Sequence, residues 1–178
     1  MSYLIPIAST TSIGLVQAGT NISITSNGVI STTGGEGNVV VGSWSPSLVS
    51  SLTATGIVIS TSTAIYSKAG QQISCYFDFT ITAETGGGAN GVITLTRLPF
   101  TSITNTTSST GYVGSLYISY FTNMQSDTVW LSGGVISNST TATMFRGQGG
   151  PRTLVNVTQD DIQATTRLVG TITYLSAS

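Results

Sequence analysis

The chain has 178 residues, a formal net charge of −1, no histidine, one cysteine and only 6% charged residues, where an ordinary globular domain carries about 25%. So few and scattered cations cannot neutralise a row of phosphates, which excludes nucleic acid as a partner and an anionic membrane surface with it. A hydrophobic content of 39% suffices for a packed core and excludes disorder over most of the length.

Serine and threonine take the place of charge, at about a third of the residues. A mean hydropathy of +0.30 with so little charge leaves a chain prone to meet other protein. The composition points to a compact β-sandwich that buries further surface in a homo-oligomer. No apolar run reaches the roughly 20 residues that cross a bilayer. The start, Met1 to Gln17, has no positively charged n-region and does not read as a signal peptide.

Residues 1–36 read as an arm. Within it Asn21-Ile22-Ser23-Ile24-Thr25 alternates polar and apolar, Asn27-Gly28 follows, and then Val29-Ile30-Ser31. Two short strands joined through Asn-Gly predict a hairpin, because a type I′ turn needs positive φ at both central residues. An isolated hairpin is marginal in water. Ile22, Ile24, Val29 and Ile30 are therefore candidate contacts with a partner or sister subunit. Gly34-Gly35-Glu36-Gly37 reads as a joint, since no helix or Lys-Ser/Thr follows to cradle a phosphate.

Residues 37–178 read almost wholly as β-strand. Val39-Val40-Val41 and Ile57-Val58-Ile59 are β-branched runs, and Trp44 after the first is a further candidate contact. Ile73, Cys75, Phe77, Phe79 and Ile81 share one face of a half-buried strand, with Ser74, Tyr76, Asp78 and Thr80 on the other. Val92 to Thr96 follows a Gly86-Gly87-Gly88 turn and ends before Pro99. Leu116, Ile118 and Tyr120 alternate with Tyr117, Ser119 and Phe121. Val129-Trp130-Leu131 and Leu168 to Leu175 complete the set. Many short strands with Gly/Ser/Thr turns predict an all-β fold: an antiparallel, jelly-roll-like β-sandwich preceded by the hairpin arm. The one helical hint is Thr158-Gln159-Asp160-Asp161, a capping-box pattern with room for a single turn.

Candidate chemistry is thin. Asp160 and Asp161 are the only carboxylates adjacent in sequence, and a turn or cap accounts for them better than a catalytic pair. With no histidine, one cysteine and no calcium-loop pattern, no metal or other cofactor is expected. Lys68 is the sole lysine, and no G-x-S-x-G is present to activate a serine. The expectation is a protein that is not an enzyme. Cys75, in a strand pattern, reads as a buried thiol. Tyr112, Tyr117, Tyr120, Phe121 and Trp130 are candidates to stack on a sugar, against the plainer reading of core or cross-strand pairs. Arg146-Gly147-Gln148-Gly149-Gly150-Pro151-Arg152 reads as a loop. Tyr112, Arg146 and Arg152 are thus the candidate residues for meeting a receptor or partner.

Two stretches together resemble known proteins. Gly14 to Ile24 with Asn27 to Ser31 resembles a hairpin motif of structural proteins from tailed phages and large aquatic DNA viruses. Trp44-Ser45-Pro46-Ser47-Leu48, Tyr66-Ser67-Lys68-Ala69-Gly70 and Gly91-Val92-Ile93-Thr94-Leu95-Thr96-Arg97-Leu98-Pro99-Phe100 are similar to the pattern of β domains in fibre-like virion proteins. Arg167 to Tyr174 is similar to their last strand. The resemblance implies a homotrimer on the virion surface, bound to a viral capsid or tail protein, without catalysis. Two roles follow from it: a capsid decoration (cement) protein or short head fibre, favoured by the absence of a shaft, and a tail fibre that meets the host surface. A lectin-like module that binds a host-surface glycan is the third.

Overall fold

A computed structural model of the chain describes residues 22–24, 30–32, 39–52, 57–84, 91–105, 111–149 and 154–177. The chain divides into two compact units, Met1–Asn38 and Val39–Ser178. In the first, β1 (Ile22–Ile24) pairs antiparallel with β2 (Ile30–Thr32) in the register Ile22↔Thr32, Ser23↔Ser31, Ile24↔Ile30. Val29 and the Asn27-Gly28 turn lie outside the described residues.

The second unit holds β3 (Val39–Ser43), β4 (Ser47–Ser50), β5 (Ile57–Ala69), β6 (Gln72–Glu84), β7 (Ile93–Thr96), β8 (Tyr112–Thr122), β9 (Thr128–Ile136), β10 (Ala142–Gln148), β11 (Leu154–Asn156) and β12 (Arg167–Leu175). They form one antiparallel sheet in the order β3-β5-β6-β12-β8-β9-β10-β7-β4, with β11 added to β10. Among the described residues the only helical element is a three-residue 3-10 turn, Gln159–Asp161.

The connection between β3 and β4 forces this sheet to curl. The two strands stand at opposite ends of the strand order, yet only Trp44, Ser45 and Pro46 separate them. Laid flat, strands that far apart in the order would sit about 40 Å apart, while the link reaches about 14 Å at most. Trp44 N–H still donates to Ala64 O on β5 at 3.1 Å, and three residues later Ser47 already faces Thr96 on β7. The sheet therefore wraps on itself into a sandwich-like body whose inner faces make the core. The all-β, antiparallel sandwich expected from the turn pattern is the architecture found.

The core is built by period-two alternation. Ile73, Cys75, Phe77, Phe79 and Ile81 of β6 point inward, as do Leu168, Ile172 and Tyr174 of β12, and all are buried. Phe77 stacks on Phe79 at 5.2 Å between centroids and meets Trp44 edge-on at 6.4 Å. Gly170 stands opposite Phe77 in the register. A Cβ there would lie 2.8 Å from the Phe77 ring, so the missing side chain makes room for the phenyl group.

Two strand patterns differ from the sequence expectation. Sequence alternation groups Tyr120 with Leu116 and Ile118, and Phe121 with Tyr117. In the structure Ile118 pairs with Gly170 and Tyr120 with Val169, leaving Ser119 as an extra residue on β8. This bulge advances the alternation by one, as an inserted residue must, so Tyr120 faces out and Phe121 packs against the core. Arg146 to Gln148, loop-like in sequence, belongs to β10, with Arg146 and Gly147 paired on both sides.

Candidate interaction surface

The outer face of β5, β6, β12 and β8 carries the alternate residues of each strand. One row across it runs Ile65, Tyr76, Thr171 and Tyr117, and the next runs Ser67, Ser74, Thr173 and Ser115. Every side chain in the second row is a hydroxyl. Tyr117 is 62% exposed, Tyr120 50%, Ile65 47% and Tyr76 37%, so this face offers rings and hydroxyls to whatever lies outside.

One ion pair stands on the face. Arg167 donates through Nε to Asp78 Oδ1 at 3.0 Å and through Nη2 to Asp78 Oδ2 at 2.7 Å. The fork geometry suits a bidentate carboxylate. The bonded guanidinium holds the Asp78 carboxyl below its ordinary range. Arg167 also lies 5.8 Å from the Tyr120 ring centroid. The pair cancels its own charge, leaving the face neutral.

Trp130 continues the outer surface on β9. Its cross-strand partner is Gly147, and the indole lies so close to that glycine that a Cβ there would collide with it. Glycine inside a strand normally weakens it. Here its missing side chain leaves room for the indole beside the backbone, and Trp130 remains 46% exposed.

The residues singled out from sequence do not come together. Ile22, Ile24 and Ile30 lie on the hairpin of the first unit, with Ile24 opposite Ile30. Trp44 is only 9% exposed and its Nε1 donates to Tyr76 O at 3.3 Å, so it serves its own core. Tyr112 packs edge-on against Phe145 at 5.8 Å. Arg152 lies outside the described residues.

Arg146 departs furthest from expectation. Its side chain points inward from β10 and is 8% exposed. Nη1 donates to Asp127 Oδ1 at 2.7 Å. Nε sits 2.9 Å from Asp161 Oδ1, out of line with the N–H bond and so a charge contact rather than a hydrogen bond. The other oxygen of Asp161 accepts from Thr158 N at 2.7 Å and Thr158 Oγ1 at 3.0 Å. The capping role read from Thr158 to Asp161 is what this carboxylate performs, and it also anchors the arginine. Asp127, Arg146 and Asp161 thus form a structural knot under the sheet, not a loop that meets a partner.

Other polar groups are likewise built into the body. Glu84 Oε1 accepts from Gln159 Nε2 at 2.9 Å. Lys68 Nζ stands 4.5 Å over the Phe100 ring. Burial pushes the Cys75 thiol up to about 12, which leaves it protonated and unreactive at neutral pH. Tyr174 Oη donates to Phe100 O at 2.9 Å and accepts from Phe100 N at 3.2 Å. Among the described residues no three His, Cys, Asp or Glu side chains gather as metal ligands would.

Sequence reasoning sets Tyr76 on the outer face but does not single it out as a contact residue, and it overlooks Ile65 as a surface residue and the Asp78–Arg167 pair. The Tyr76 signal was present, since the alternation already set it opposite Phe77. The ion pair joins residues 89 apart in sequence, a proximity that only strand order creates.

The crystal structure of the Dettilon tailspike protein aligns with 76% of this chain at a TM-score of 0.58 and 16% identity. The chain covers 23% of that protein's length. At this identity the likeness is one of fold. No protein-family model and no curated relative matches the sequence.

Proposed function

We propose that the chain is a non-enzymatic structural protein exposed on a tailed-phage virion, acting in the tail apparatus by surface contact with the host. The observation that carries this reading is the outer face of β5, β6, β12 and β8, where exposed tyrosines stand among hydroxyls and the single ion pair neutralises itself. A neutral face of that kind suits a neutral, hydroxyl-rich partner such as a cell-surface glycan, which rings bind by stacking and hydroxyls by hydrogen bonding. The likeness of fold to a tailspike supports the placement on the tail. The pairing of Asp78, Asp127, Arg146, Asp161 and Arg167 with one another in ion pairs supports a contact role over an acid–base one.

Immunogold labelling of intact particles tests the reading. Gold confined to the tail end is the expected result. Gold spread evenly over the head would make the chain a capsid decoration protein instead. Particles without gold, given a positive blot with the same antibody, would refute a virion role.

A further inference from the structure

Among the described residues, the outer edge of β3 is a strand edge that no other strand covers. Val39, Val40 and Val41 are 59%, 52% and 68% exposed on consecutive residues, so this stretch of the strand is exposed on both faces. Among the described residues β3 has a neighbour on one side only, at the end of the strand order. Sheet edges are normally guarded by lysine, proline, a bulge or a covering element. None of the first three occurs within Val39–Ser43, and its register with β5 is unbroken.

The direction of its hydrogen bonds follows from one contact. Trp44 N–H donates to Ala64 O, so residues 44 and 64 form a hydrogen-bonded pair. In an antiparallel ladder such pairs alternate. Gly42 and Val40 therefore bond to β5, while Val39, Val41 and Ser43 turn their N–H and C=O groups to the open edge.

We propose that this edge pairs antiparallel with β3 of a second copy of the chain, with Val41 facing Val41. The strand is complementary to itself in that register. Val39 comes opposite Ser43 and Val40 opposite Gly42, large against small on either side of the central Val41 pair, and no charge opposes another. Three outward-facing residues on each strand supply about six hydrogen bonds. The net charge of −1 puts no appreciable repulsion between two copies. Such a contact closes as a two-fold pair, so the mass in solution is that of an even number of chains, including two trimers joined edge to edge. The inference does not depend on where the protein sits on a virion.

The test is light-scattering mass of the full-length protein at micromolar concentration, for wild type, Val41→Pro and Val41→Lys. Proline at 41 removes only an outward N–H and leaves the β5 ladder intact. Lysine guards the edge without touching the backbone. The expected result is an even-numbered wild-type assembly whose mass halves in both variants, with unchanged far-UV circular dichroism. In parallel, hydrogen exchange should show the Val39 and Ser43 amides protected in wild type and unprotected in Val41→Lys. A wild-type monomer or trimer overturns the proposal. So does an assembly whose mass survives in folded Val41→Lys, or rapid exchange of those amides in wild type.

Discussion

Replacing Asp161 by alanine should be among the most damaging single changes to a polar residue of this protein. The side chains of Asp161 and Arg146 are 2% and 8% exposed, so neither is discounted for solvent screening as a surface pair would be. Removing one partner of a buried pair costs about 3–5 kcal/mol, because the other charge stays buried. Asp127 still holds one guanidinium nitrogen at 2.7 Å, which keeps the loss near the lower figure. The cap on Thr158 goes as well, at about 1 kcal/mol. The sum, about 4 kcal/mol, is a large part of the 5–15 kcal/mol that typically holds a domain together. With a urea m-value of about 2 kcal/mol/M, the unfolding midpoint should fall by about 2 M. Asp161→Asn, which keeps an acceptor for Thr158, should lose less. Arg146→Met with Asp161→Leu should recover much of the loss, since an apolar pair of similar volume carries no buried charge. A midpoint shift below about 0.5 M for Asp161→Ala would refute the reading of a buried structural knot.

Gly147→Ala should displace the Trp130 indole, cost about 1–3 kcal/mol as overpacking does, and shift the tryptophan emission; unchanged emission and stability would show that the ring does not rest on that glycine. The Asp78 carboxyl titrates below its ordinary value of 3.8 in the folded protein. Its contribution to stability is therefore complete above that value and is lost as pH falls through the lower folded one. Asp78→Asn should flatten the stability profile in that acid range, and an identical profile would count against the pair. Cys75, with its thiol pushed up to about 12, should resist thiol reagents at pH 8 until urea unfolds the protein. Labelling of the native protein as fast as of the unfolded one would contradict its burial.

What the sequence disclosed was local. Ile73 to Ile81 announced its own faces because strict alternation over nine residues admits one assignment. The cap at Thr158 was legible because its partner lies three residues away. Tyr120 was misassigned because a bulge at Ser119 is set by the neighbouring strand β12, whose Val169 and Gly170 face Tyr120 and Ile118. Arg146 resembles a loop residue in sequence because Gly147, Gly149 and Gly150 follow it, whereas Gly147 is there to seat Trp130 from the next strand. The candidate surface was half visible. Tyr117 and Trp130 stood out as aromatics, while the neutrality of the face rests on Asp78 meeting Arg167 across a register no local pattern reveals.

The place of β12 in the sheet bears on how the molecule is made. Residues 167–175 lie between β6 and β8 and bond to both along nearly their whole length. On a growing chain, β6 must wait about ninety residues for the strand that completes it, a long-range closure of the kind that slows folding. Until then β6 and β8 each present a bare edge, a hazard of aggregation during synthesis. The sandwich therefore cannot assemble progressively from its first strands. A chain that stops before Arg167 would keep its two halves joined through the short link from β3 to β4, with the facing edges of β6 and β8 unpaired.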